Sequence, residues 1–134
     1  MKYYIEPSAE QGKDFFMKLQ GKGSFVMLNL MRFRTKALYK NENSKELSGE
    51  EAYQLYLKEI KPSLIEIGSE VLFQGVPNDF LIGPIEEKWD FILMVKHQSI
   101  EKFLEFSKSE IYLKNLPHQK AAIEDFRLLP VSSK

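Results

Sequence analysis

The sequence contains no cysteine. Disulfides, thiolate zinc sites, iron–sulfur ligation and cysteine nucleophiles are therefore outside its chemistry. It has no excess of either charge, with 19 Lys+Arg against 19 Asp+Glu and a formal net charge of zero. Nucleic-acid binding relies on a basic surplus that releases counterions from phosphate, and a basic amphipathic membrane helix needs the same surplus. Neither partner is expected. Long apolar runs are missing too. Met1-Lys2-Tyr3-Tyr4-Ile5-Glu6-Pro7 has no apolar core of a secretory signal, and no later segment is long enough to span a bilayer. The cytoplasm is the expected compartment. There are only two histidines, His97 and His118, without the short spacing of a helical metal pair, and no G-x-S-x-G elbow surrounds a serine. No metal and no cofactor is expected.

What is present is the balance of a globular protein: 134 residues, 43% hydrophobic and 28% charged. That length makes a single domain over 1–134, large enough to bury roughly two-thirds of its unfolded surface without a covalent staple.

Ser8-Ala9-Glu10-Gln11 fits a capping box, in which the serine and the glutamine satisfy each other's orphan backbone donors. The helix behind it carries Phe15, Phe16 and Leu19 on one side, and Gly21-Lys22-Gly23 ends it. Ser24 to Arg34 reads as a long strand, apolar on both faces except at Asn29. Thr35 to Leu47 is polar and unpatterned, as in a solvated loop. Ser48-Gly49-Glu50-Glu51 is a second capping box. It opens a helix on which Tyr53, Tyr56, Leu57, Ile60, Leu64 and Ile67 form one apolar stripe. Pro62 should kink or break that helix, and Gly68 closes it. Glu70 to Val76 reads as a strand, Phe80-Leu81-Ile82 as a short extended piece, and Trp89 to His97 as another central strand. Ser99 and Ser109 cap two further helices, and Phe126 to Val131 is the final strand.

The order strand, helix, strand, strand, helix, strand is the split βαβ pattern of an α+β, ferredoxin-like fold with a four-stranded antiparallel sheet. Helices cover one face of such a sheet. Here both faces are apolar: Phe25, Met27, Met31 and Phe33 oppose Val26, Leu28 and Leu30, while Trp89, Phe91, Leu93 and Val95 oppose Ile92 and Met94. An uncovered apolar face of that size marks an interface or a ligand groove. Two sheets face to face would bury it, so a homodimer is expected.

Asn29-Leu30-Met31-Arg32-Phe33-Arg34, Ser48-Gly49-Glu50-Glu51-Ala52-Tyr53, Ile82-Gly83-Pro84, Trp89-Asp90 and Pro117-His118 occur in that order along nearly the whole chain. In these landmarks the sequence resembles a small bacterial domain-of-unknown-function family of the dimeric α/β-barrel superfamily. The resemblance implies two ferredoxin-like sheets closed into one barrel, and it implies no activity. Gln119 stands where the resemblance would place a basic residue.

Several polar residues interrupt the apolar pattern. Asn29, mid-strand, must be hydrogen-bonded, either to nearby backbone or to a ligand. Arg32 and Arg34 share one strand face, where guanidiniums clamp a carboxylate or pair with Asp90 across the sheet; Arg34 is the more solvated of the two. Asp90 is either that ion-pair partner or a proton acceptor with a raised pKa. His97, beside Gln98 and Ser99, should face solvent. His118, after Pro117 at a helix turn, is the better acid–base candidate. Trp89 belongs to the core or to a pocket wall, and the phenol of Tyr53 can supply a hydrogen bond to a pocket.

The expected function is binding of a small aromatic or carboxylate-bearing metabolite beside the sheet, with Asn29, Arg32, Tyr53 and Trp89 as ligand-binding residues. The alternative is a cofactor-free oxygenase or isomerase acting on an aromatic or dicarbonyl compound, with Asp90 and His118 as catalytic groups. Fold-level analogy alone suggests it.

Overall fold

The computed structural model describes residues 2–40 and 46–134. Four serines start the four helices found among the described residues. The side chain of Ser8 accepts from Gln11 N at the head of α1 (Ala9–Leu19), and that of Ser48 from Glu51 N at the head of α2 (Gly49–Glu66); both capping boxes are complete. Ser99 and Ser109 cap α3 (Ile100–Ser107) and α4 (Glu110–Ala122) in the same way. Gly68, at φ 83°, takes the left-handed conformation just beyond α2, which a side chain would resist. Pro62 does not break α2, and Pro117 likewise lies inside α4. Each removes one backbone donor, but the buried residues on either side, Ile60 and Leu64 in α2, hold the helix by packing.

Strands β1 (Phe25–Phe33), β2 (Glu70–Gly75), β3 (Phe91–His97) and β4 (Ile123–Ser132) form one antiparallel sheet in the order β2-β3-β1-β4. This is the ferredoxin-like arrangement expected from the element order. Residues 80–82 form no strand, because β2 ends at Gly75 and gives them nothing to pair with. They sit instead in an irregular connection, 76–90. The final strand starts earlier than expected, straight from the end of α4. The 35–47 segment is less solvated than its polarity suggested: Ala37 is buried, Ala37 N donates to Leu47 O and Leu38 N to Ala121 O. Residues 41–45 of that segment lie outside the described residues.

The register fixes two faces. Met27, Met31, Leu93 and Val95 point toward the helices, where α2 and α4 lay Tyr53, Leu57, Ile60 and Ala122 over them. A second cluster forms where α1 and α3 meet Phe25 and Met27, with Ile100 wholly enclosed. Among the described residues, no helix covers the other face. It presents Val26, Leu28, Leu30, Ile92 and Met94, flanked by Phe73 on β2 and by Leu129 and Val131 on β4, the last three exposed. A register shift between Val71 and Phe73 bends the outer strand β2. On the opposite edge Phe126 N donates to Tyr4 O, which straps the N-terminal segment along β4. Among the described residues, no helix is long and apolar enough to cross a membrane.

Candidate functional site

One ionic and aromatic cluster sits at the margin of the open sheet face. Asp125 lies opposite Arg32 in the β1–β4 register and is fully buried. Its Oδ1 accepts from Tyr4 N at 2.9 Å, from its neighbour Phe126 N at 3.1 Å and from Arg127 Nη1, and Arg32 Nη1 stands 3.8 Å from Oδ2. Arg32 Nε and Nη2 also donate to Lys88 O. Both guanidiniums lie against the ring of Trp89, at 5.3 Å for Arg32 and 5.1 Å for Arg127, and Arg127 reaches the Tyr4 ring as well. Cations at such distances are held by the ring quadrupole. The indole N–H donates to Glu87 at 2.8 Å.

Two sequence expectations change here. Arg32 does not pair with Asp90; its carboxylate partner is Asp125. Asp90 spends Oδ2 on the backbone N–H of Phe33, at 2.8 Å, just beyond the last β1–β3 pair, Met31 with Phe91, where the ladder offers that donor no carbonyl. Trp89 precedes β3, so strand alternation does not govern it, and its ring goes to the open face with the arginines.

The remaining candidates lie elsewhere. Asn29 points to the helix-covered side, donating to Leu93 O at 3.1 Å and more weakly to Met27 O. Arg32, three residues on, leaves by the opposite face. Tyr53 is buried among Phe33, Tyr56 and Phe91, and burial raises its pKa, so it stays a neutral phenol. His118 Nδ1 meets Tyr39 OH at 2.7 Å. Asp90 instead borders an open cleft of about 420 Å³ with Arg34, Thr35, Ser48 and Glu50. Arg34 is not simply solvated: its Nε is buried without a hydrogen-bond partner among the described residues. The structure thus joins Arg32 with Trp89 and does not join either to Asn29, Tyr53 or His118.

His97 does not face solvent. It is 3% exposed, packed against Phe25 and Phe103, and its Nδ1 meets Ser69 Oγ at 2.8 Å. Burial pushes its pKa down to about 4.

Sequence reading missed Asp125, Arg127 and Tyr4. The signal was present in Asp125-Phe126-Arg127, which sets opposite charges two apart on one strand face. Starting the strand at Phe126 hid it.

A protein of unknown function from Rhodopseudomonas palustris, RPA0582, superposes on this chain with a TM-score of 0.90 at 32% identity, covering 99% of this chain and 98% of its own. This chain belongs to the same family. The methylated form of RPA0582 agrees equally well, at a TM-score of 0.90 and 32% identity over 100% of this chain and 97% of its own. A dabb family protein with a ferredoxin-like fold from Mesorhizobium loti is similar at a TM-score of 0.51 and 11% identity. That match covers 84% of this chain and 98% of the other, and it shows a shared fold only. No protein-family model and no curated protein matches the chain.

Proposed function

We propose that this member of the RPA0582 family is a homodimeric binding protein for a small aromatic or carboxylate-bearing metabolite. The observation that carries the reading is the pair of guanidiniums on Trp89 at the border of an uncovered apolar sheet face. An aromatic acid needs both parts, an apolar surface for its ring and a cation for its carboxylate. Arg32 is committed to Lys88 O and Asp125, whereas Arg127 uses only Nη1 among the described residues. Arg127 therefore has donors to give, and Arg32 and Trp89 shape the place where they point. Asp90 and His118 each already hold a partner of their own, which favours binding over acid–base catalysis.

The dimer is supported by surface area. A folded monomer of this mass exposes about 7,300 Å², and the chain exposes 9417 Å². The surplus of about 2,000 Å² per chain is the amount that large, permanent interfaces remove.

Trp89 is the only tryptophan, so its fluorescence reports on this site alone. Titration with benzoate and its hydroxylated relatives is expected to quench or shift it. Arg127→Gln should weaken that response about tenfold or more, the worth of one charge-assisted hydrogen bond. An unchanged titration in a folded Arg127→Gln protein would remove the cluster from the site.

A further inference from the structure

The connection between β2 and β3 runs through fifteen residues, 76–90, without helix or strand. Antiparallel neighbours need only two to five, and structureless connections of this length in a small domain are usually functional. This one is not slack. Lys88 Nζ holds Asp79 at 2.8 Å, Glu87 N donates to Pro84 O, and the Phe80 ring rests on Gly83 so closely that a Cβ there would come within 2.9 Å of it. Its base is fixed by Arg32 on Lys88 O and by Trp89 in the cluster. Yet four of its apolar residues stand largely in water: Val76 is 75% exposed, Leu81 97%, Ile82 91% and Ile85 84%. A self-braced arm that turns four apolar side chains to water is built to be covered.

We propose that the arm 76–88 docks across the open sheet face of a second copy, so that each ligand pocket is walled by one protomer's sheet and its partner's arm. The inference rests on the homodimer reading and adds that the site is incomplete in one chain. Three observations select a second copy as the occupant. The sheet face is a matching apolar surface with no cover of its own, and the surplus area is that of a permanent dimer. The charges also complement. The arm carries Asp79, Glu86 and Glu87 against Lys88, while the open face carries Arg32, Arg127 and Lys96 against Asp125 and Glu70. An isologous pair satisfies both arms at once.

Because the chain has no cysteine, single thiols can be placed at will. Two proteins of different mass tag, one with Ile82→Cys and one with Leu129→Cys, are mixed, allowed to exchange subunits and treated with a short bis-maleimide. A covalent heterodimer is expected. A chain carrying both substitutions should likewise link to a second chain, and a link closed within one chain would overturn the proposal, as would no link at all. Independently, Leu81→Asp with Ile82→Asp should raise the dimer dissociation constant at least tenfold while circular dichroism stays native. If that variant dimerises like the parent, the arm proposal fails and the homodimer stands. If the parent itself is monomeric by light scattering, both fail.

Discussion

His97 shows how a single residue ties packing to pH. Its ring is enclosed by Phe25 and Phe103 and meets the Ser69 hydroxyl, so the charged form is poorly solvated and its pKa falls to about 4. In the unfolded chain it titrates near 6.5. Between those two values the unfolded state holds a proton that the native state refuses, so stability drops as pH falls from 6.5 to 4 and this contribution levels off below. The full effect is on the order of 3 kcal/mol. Urea denaturation at intervals across that window is expected to show the decline in the parent. A His97→Leu variant should lack this component, and a parent midpoint independent of pH there would contradict the buried placement. Asp125 is the other residue on which much depends. It is a wholly buried carboxylate that holds two guanidiniums and the N-terminal strap, so it joins the sheet edge to the proposed binding cluster.

At the scale of the element, the start of α2 sets two rules against each other. Glycine is a poor helix former, and replacing it by alanine normally gains up to about 1 kcal/mol. Gly49, however, lies where β1 and α4 both end: its N donates to Arg34 O, and a Cβ would run into that same carbonyl and stand 2.7 Å from Ala122 O. Both obstacles are backbone and neither can swing away. Packing wins, and Gly49→Ala is expected to cost about 2–3 kcal/mol in chemical denaturation; a stabilised variant would show that the junction is looser than this. The same contrast explains what the sequence could reveal. Caps and periodicity are local, so all four helix starts and the strand order were legible. Of the two outcomes open at Pro62, a kink or a break, the break does not occur, because the donor it removes is local whereas the packing that holds α2 through it comes from the sheet. His97 misled because the aromatic rings that cover it, Phe25 of β1 and Phe103 of α3, are brought together only by the fold. The candidate cluster was half legible: Arg32 and Trp89 stand out in apolar surroundings, but their partners come from β4 and from the N-terminal segment, and only the sheet register unites them.

For the whole molecule the open sheet face governs behaviour. Two copies joined through it use the same surface on both sides, and such a contact closes with nothing left over. Light scattering is therefore expected to give about twice the 15.7 kDa chain mass from micromolar concentration upward, holding level as concentration rises; a monomer, or a mass that keeps climbing, would count against this. The sheet's edges bear on the second of those failures. The bend in β2 and the Tyr4 strap on β4, together with Pro130, which offers β4 no N–H, leave both margins poorly suited to receive another strand. Edge addition is the route by which sheet proteins grow into fibres, and here it is obstructed at both ends of the sheet. A chain that pairs once in this way can thus offer one broad apolar surface to a second copy without becoming the template for an aggregate, since growth on that surface ends after one step.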